Sequence, residues 1–373
     1  MDATDKKLLA ALQRDVPVLF RPWDALAESL GLTGDEVLRR IRALKDDGVI
    51  RQISAIFDTR SLGYQSSLVA ATCDPQREEA VAAIINEHPG VTHNYARNHA
   101  YNLWFTIAVS PQSLLGLEKT MQILQQRSGA NAMRLLPTLR LFKIGVELDV
   151  EGTAADKGEV AYSEAQRSTP APLTPREIEF VRAMQRDLPL EPEPFVAMGF
   201  EMSELQQMTA AMRASGRMRR YSAVLRHRKA GFGANAMGVW AACNRGAKEV
   251  EQLGETMARF RAVSHCYLRP TYPDWPYNLF TMIHGRSAED CEAVLAEISR
   301  ETGITEFSAL YSTKEYKKTR VEYFTDAEAR WESATGGNPP LDRTLHLLHV
   351  RRPFVKGMTL GRCLLPFINQ RRT

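Results

Sequence analysis

Apolar positions in the first sixty residues recur at helical spacing. Leu8, Leu9 and Leu12 mark the inner face of a short amphipathic helix over 5–14, which Arg14-Asp15-Val16-Pro17 ends. A second helix is predicted from Trp23 to Leu30, closed by Gly31. A third runs from Thr33 to about Asp47, with Val37, Leu38, Ile41 and Leu44 on its apolar face. Thr33 with Glu36 three residues on has the pattern of a capping box, and Gly48 supplies the stop. Val49 to Phe57 then alternates and is expected to form a strand pair. Three helices and a β-wing predict a winged helix-turn-helix over 1–60.

From Gly63 the period changes. Ser67–Cys73 reads as a strand, Arg77–Glu87 as a helix, and Val91–Tyr95 as a strand or turn. A further strand is expected over 101–109, a helix from Ser113 to Ser128, and closing strands around Pro137. The order β-α-β-β-α-β over 61–150 is that of a ferredoxin-like domain. Residues 151–172 are polar and aperiodic, a linker.

The programme then repeats. Met184-Gln185-Arg186-Asp187-Leu188-Pro189 answers Leu12-Gln13-Arg14-Asp15-Val16-Pro17, and Tyr221-Ser222-Ala223-Val224-Leu225 answers Ile53-Ser54-Ala55-Ile56-Phe57. Gly231-Phe232 answers Gly63-Tyr64, and Cys243 is aligned with Cys73. The expected fold is therefore α+β, a tandem duplication. A second winged helix-turn-helix is expected over 173–228, a second ferredoxin-like domain over 229–325, and a basic tail over 326–373.

Composition narrows the function classes. The 373 residues suit two to four domains. No apolar run approaches the ~20 residues of a membrane span, and Met1–Asp5 lacks the features of a signal peptide. The cysteines at 73, 243, 266, 291 and 363 show no C-x-x-C, so reduced thiols in a cytoplasmic protein are expected rather than a zinc site. From Ser333 onward the tail carries a balance of +6 against +4 for the whole chain, so the body stands at −2. Over 33–47, Arg39, Arg40, Arg42 and Lys45 are offset by Asp35, Glu36, Asp46 and Asp47. In the second copy, Ser203–Ser215 offers Arg213 against Glu204. Neither is a strong grip on a phosphate backbone, and DNA is not an expected partner.

One stretch concentrates ionisable chemistry: His93-Asn94-Tyr95-Ala96-Arg97-Asn98-His99-Ala100-Tyr101-Asn102-Leu103-Trp104-Phe105-Thr106-Ile107. A polar segment leads straight into a buried strand, a rigid base from which to aim side chains. His265-Cys266-Tyr267-Leu268-Arg269 and Tyr277-Asn278-Leu279 echo it, but Thr271–Pro276 stands where the second histidine would be. Arginine matches a carboxylate bidentately and imidazole titrates near neutral pH, so this residue set suits an acidic substrate and proton transfer.

Leu26-Ala27-Glu28-Ser29-Leu30-Gly31-Leu32-Thr33, Val37-Leu38-Arg39-Arg40-Ile41 and Gly48-Val49-Ile50 resemble the Lrp/AsnC regulators. Those motifs alone imply a DNA-binding protein that senses an amino acid or a tetrapyrrole, which is the competing reading. The His93–Phe105 stretch, with Leu136-Pro137-Thr138-Leu139-Arg140-Leu141-Phe142-Lys143-Ile144, resembles instead the siroheme decarboxylases. These are Lrp-like proteins of two related subunits, used in d1-type haem synthesis and the alternative haem pathway. Here both subunits stand fused head to tail, and the resemblance spans about residues 4–325.

The resemblance implies a carboxy-lyase that removes CO2 from the acetate side groups at C12 and C18 of siroheme. It needs no cofactor beyond the iron tetrapyrrole substrate and no metal of its own. Arg97 is the expected carboxylate anchor. His93 and His99 are the expected proton donors or ligands of the substrate iron, and the sequence does not tell which does which. Tyr95, Tyr101, Asn102, Trp104, Arg140 and Lys143 are candidates for substrate binding, with His265, Tyr267 and Arg269 as a second set. An internal pseudo-dimer is expected, compatible with further homo-oligomerisation and contact with other haem-synthesis proteins.

Overall fold

In the computed structural model, residues 1–144, 171–225 and 234–336 are described. Residues 151–170 of the expected 151–172 linker, the Gly231-Phe232 correspondence and the tail beyond 336 lie outside them.

The first unit opens with α1 (Ala3–Arg14), α2 (Pro22–Leu30) and α3 (Gly34–Asp46), followed by β1 (Ile50–Phe57). Gly31 and Gly48 adopt positive φ at the two helix stops, where a side chain would be strained. The capping box at Thr33 is half made. Thr33 Oγ1 accepts from the Glu36 N–H, but the Glu36 carboxylate turns to Arg39 and Arg40.

The predicted wing hairpin does not form. Residues 49–57 contain no turn former, so they make a single strand, and its partner comes from the second unit. That unit has α6 (Pro175–Met184), a short 3-10 turn at Val196–Met198, α7 (Met202–Ala214) and β7 (Met218–Leu225). β1 and β7 pair antiparallel, Ile53 opposite Ala223 and Ala55 opposite Tyr221. Beneath this ribbon the two units share one core, with Leu12, Ile41 and Phe57 against Phe180, Leu205 and Tyr221.

The remaining strands and helices follow in chain order. The first copy has β2 (Gln65–Thr72), α4 (Glu78–Asn86), β3 (Val91–Arg97), β4 (Leu103–Val109), α5 (Gly116–Ser128), β5 (Ala132–Leu136) and β6 (Arg140–Ile144). The second copy has β8 (Ala234–Trp240), α8 (Ala247–Ala258), β9 (Val263–Leu268), β10 (Leu279–Gly285), α9 (Ala288–Thr302) and β11 (Phe307–Lys318). A last helix, α10 (Ala327–Ala334), falls within the expected tail and docks back on the first copy. There Trp331 packs edge-on against His88, ring centroids 4.5 Å apart.

Among the described residues these strands form one nine-stranded sheet, β5-β2-β4-β3-β11-β8-β10-β9-β6. Each half lends its last strand to the other. β11 pairs with β8 through Tyr311 and then with β3 from Ser312 onward. Pro137, which has no N–H to donate, separates β5 from β6, and β6 crosses to pair with β9. β5 and β6 therefore stand at opposite edges although only residues 137–139 join them, a reach of roughly 14 Å. The sheet must curl until its edges meet. Helices cover its outer side. The helix-free interior holds Trp104, Leu136, Met237, Trp275, Phe280 and Leu310.

The duplication is off by one at the cysteine. The Cys73 N–H donates to Asn102 Oδ1, and it is the Ala242 N–H that donates to Asn278 Oδ1. Ala242, not Cys243, occupies the place of Cys73.

Candidate active site

β3 alternates sharply. Asn94 faces α4, where its amide donates to Asn86 Oδ1 at 3.0 Å. His93, Tyr95 and Arg97 therefore share the helix-free face, with Trp104 beside Tyr95 across the strand pair. Arg97 is only 7% exposed. Its Nη1 donates to the Leu310 carbonyl of the other half at 2.7 Å, while its Nε has no partner. Among the described residues no carboxylate pairs with it. Burial pulls its pKa down to about 10.

His93 accepts or donates at Nδ1 with Thr92 Oγ1, 3.1 Å away, and Thr92 in turn meets Thr106 Oγ1 at 2.8 Å. Burial, then Lys318 and Arg51, lower its pKa, with Glu315 opposing them. The resting ring is neutral near pH 7.

His99 lies elsewhere. Four residue steps along the strand, roughly 13 Å of chain, already separate His93 from Arg97, and His99 follows beyond a tight bend. Its Nδ1 accepts the Tyr101 N–H at 3.0 Å, which leaves the proton on Nε2. It sits edge-on to Trp275, centroids 5.4 Å apart. The Thr271–Pro276 insertion of the second copy thus lodges against the first. Asp274 accepts from the Tyr101 hydroxyl and from Arg134, both at 2.8 Å.

The second strand repeats the first. His265 and Tyr267 share the helix-free face of β9, and Arg269 follows directly after its end. Arg269 donates to the Leu136 carbonyl, its Nε is also unpartnered, and burial lowers its pKa to about 10. Burial pushes His265 down to about 4, helped by His284, Arg219, Arg269 and Lys143. Ser264 Oγ stands 2.8 Å from both His265 Nδ1 and His284 Nε2.

Three of the expected site residues are placed differently. The Asn102 amide is spent on the fold, accepting from the Cys73 N–H and donating to Glu78 at 2.9 Å. Arg140 and Lys143 belong to the second half, because β6 crosses over. Arg140 pairs with Glu251 and Glu255 of α8. Lys143 donates to the Phe260 carbonyl at 2.8 Å and acts electrostatically on His265. Trp104 is a buried wall whose indole N–H donates to the Tyr101 carbonyl at 2.7 Å. Sequence reasoning misses Asp274, Ser264 and His284. The one available signal is the Thr271–Pro276 insertion.

A groove of about 740 Å³ opens between β1, the end of α6 and residues 319–326. Arg51, Arg182, Arg186 and Arg320 line it, with Asp187, Glu322 and Asp326. Its floor adjoins β3, since the Thr319 N–H donates to the Thr92 carbonyl at 2.7 Å. His93 is next to the groove rather than in its wall.

Two family models match. One is the AsnC-like ligand binding domain, over residues 61–143 and 229–317. The other is the siroheme decarboxylase NirDL-like HTH domain, over residues 5–51. The siroheme decarboxylase of Hydrogenobacter thermophilus is 40% identical over 87% of this chain and 96% of its own length. This chain belongs to the siroheme decarboxylase family. Like NirDL it is a fused member. The separate siroheme decarboxylase beta subunit of Methanosarcina barkeri is 40% identical but matches only 39% of this chain, over 96% of its own length. A crystal structure of the siroheme decarboxylase NirDL with an iron-uroporphyrin III analogue superposes with a TM-score of 0.71. It is 33% identical and covers 89% of this chain and 98% of the other.

Proposed function

We propose that this protein is a carboxy-lyase that converts siroheme to 12,18-didecarboxysiroheme in d1-type haem synthesis, in the cytoplasm and without a cofactor of its own. The observation that carries this reading is the pair of buried guanidiniums, Arg97 and Arg269, each with an unpartnered Nε and no carboxylate among the described residues. A buried cation without a counter-charge is costly. A substrate rich in carboxylates supplies the counter-charge, held bidentately.

In each turnover the bond between an acetate methylene and its carboxyl carbon breaks. CO2 leaves, and the methylene carbon takes up one proton to become a methyl group. The electron pair is delocalised into the tetrapyrrole until that proton arrives. Arg97 fixes a carboxylate. His93 lies along the same face and His99 beyond the bend, so the two serve different parts of a large substrate. His93 is neutral at rest. An arriving carboxylate raises its pKa and makes it a donor. Tyr95 and Trp104 provide flat walls, and the arginines of the adjoining groove add positive charge for further carboxylates.

The regulator reading draws on the winged helices. Against it, the cations of α3 are already engaged. Arg40 bonds Asp2, Asp5 and Glu36, Arg42 donates to the Leu190 carbonyl, and Lys45 pairs with Asp187. The winged units serve this reading as scaffold joining the halves.

The deciding experiment is anaerobic incubation with siroheme followed by mass analysis of the tetrapyrrole. Loss of two CO2 units is expected. Tight binding with no change in mass would move the case to a tetrapyrrole sensor.

A further inference from the structure

The second half is more than an echo of the first. Its histidine sits in a hydrogen-bond relay that the first half lacks. Ser264 is buried on β9, and its hydroxyl lies 2.8 Å from His265 on one side and 2.8 Å from His284 of β10 on the other. In the first half the corresponding relay runs from His93 through Thr92 to the Thr106 hydroxyl and, among the described residues, reaches no further titratable group.

We propose that the second half is a second decarboxylation centre, and that Ser264 and His284 are positioning residues that aim the proton of His265 at its substrate carbon. This rests on the decarboxylase reading above.

Donor counting sets the direction of the protons. A hydroxyl donates one hydrogen. When His284 carries a proton on Nε2 it must donate to Ser264. The Ser264 hydrogen then has two acceptors, His265 Nδ1 at 2.8 Å and the Met282 carbonyl at 3.3 Å, and donation to the nearer one fixes the His265 proton on Nε2. Tyr267 stands on the same strand face as His265, as Tyr95 does beside His93, and Arg269 follows the end of β9.

The step balances. The bond from the methylene to the carboxylate breaks and CO2 leaves. The methylene carbon takes the Nε2 proton of His265, the Ser264 hydroxyl proton passes to Nδ1, and the Nε2 proton of His284, which enters the step protonated on both ring nitrogens, passes to Ser264 and leaves a neutral ring. His284 regains a proton from solvent. The relay returns to its first direction when the hydroxyl rotates and the His265 ring exchanges its proton with water in the emptied site.

The charged groups acting on His265 are Lys143 of β6, Arg219 of β7, Arg269 beyond the end of β9 and His284 of β10. All are cationic or become so. They favour a neutral ring until a carboxylate binds. Around His284, Arg286 follows two residues on, and Arg261 precedes Ala262, whose carbonyl accepts the His284 N–H.

Two reaction centres and two acetates to shorten imply that blocking one centre leaves a half-finished product. The test uses the full-length protein with siroheme under anaerobic conditions, and compares wild type with Ser264→Ala, Ser264→Thr and His284→Gln. The readout is the ratio of mono- to didecarboxylated tetrapyrrole as a function of pH. Ser264→Ala and His284→Gln should raise that ratio at least tenfold. Ser264→Thr, which keeps the hydroxyl and copies Thr92, should restore it. The wild-type ratio should depend on pH through a group that His284→Gln removes. An unchanged ratio in both variants, or no rescue by threonine, overturns the proposal. Wild-type protein that releases no CO2 from siroheme overturns the decarboxylase reading itself, a result distinct from either.

Discussion

Arg97 Nη1 donates to the main-chain carbonyl of Leu310, 2.7 Å away across the junction of the two halves. Arg269 reaches Leu136 in the equivalent way. Each guanidinium thus bridges the two halves while its Nε has no partner. The depression of the Arg97 pKa to about 10 corresponds to a desolvation cost on the order of 3 kcal/mol. Its single cross-half hydrogen bond, made by a charged donor, returns about 2 kcal/mol.

Arg97→Met should therefore fold with a thermal midpoint equal to or above that of wild type, because it removes more desolvation than bonding. CO2 release from siroheme should fall by about 100-fold or more, the usual effect of losing a charged anchor from a preorganised site. Thermal melts and mass analysis on one preparation check both halves of this prediction. Near-normal turnover would remove Arg97 from the site.

Stability should fall with acid in a defined window. His265 and His88 are held neutral by burial, at about 4 and about 3, and His93 is shifted the same way. Below about pH 6.5 the unfolded chain binds protons at these rings that the folded protein does not. The denaturant midpoint should be flat above pH 7 and should decline from about 6.5 towards 4. Removing His265 by substitution with Gln should make that decline shallower.

The same neutral rings predict proton uptake on binding. Carboxylates brought against His93 and His265 raise their pKa values, so at pH 7 the complex holds more protons than its parts. Calorimetric titration with a non-reacting iron porphyrin carrying acetate side groups, in buffers of different ionisation enthalpy, should show net uptake. Proton release would contradict the assignment.

The inserted Trp275 separates packing from chemistry. Asp274→Ala breaks partly exposed contacts to Tyr101 and Arg134, so stability should change by less than about 1 kcal/mol. His99 would lose the support of the insertion, and turnover should drop several-fold. Trp275→Ala empties a fully buried site and should cost about 3–5 kcal/mol. Equal effects of the two substitutions on stability would show that Asp274 holds more than the insertion.

No specific operator is expected. With Arg40, Arg42 and Lys45 bound within the protein, mobility-shift assays should show only weak association with a shallow dependence on salt. A steep dependence at one sequence would restore the regulator reading.

The alternation over 101–109 is readable locally, because a strand's two faces follow from its period alone, whereas Val91–Tyr95 reads only as a strand or turn and β3 in fact runs on to Arg97. The amphipathic helices and their glycine stops are readable for the same reason. The partner of each strand is not. Tyr95 stands opposite Glu315, and Ile53 opposite Ala223. Pairings separated by so much sequence leave no local pattern. That is why local pattern places Arg140 and Lys143 in the wrong half, and why it reads a single strand as a hairpin. Asn102 illustrates a different limit. Its place in a conspicuous motif gives no sign that its amide closes the Cys73 backbone.

The exchange of strands also bears on how the protein is born. β3 carries His93, Tyr95 and Arg97, yet the strand that covers its free edge ends at Lys318. During synthesis that edge is complete in sequence but bare, with its backbone groups exposed, until β11 has left the ribosome. An uncovered strand of this kind invites the wrong neighbour. The residues best placed for chemistry are thus the ones a nascent polypeptide must shield longest, and slow translation or truncation before β11 should yield aggregates rather than a half-active protein.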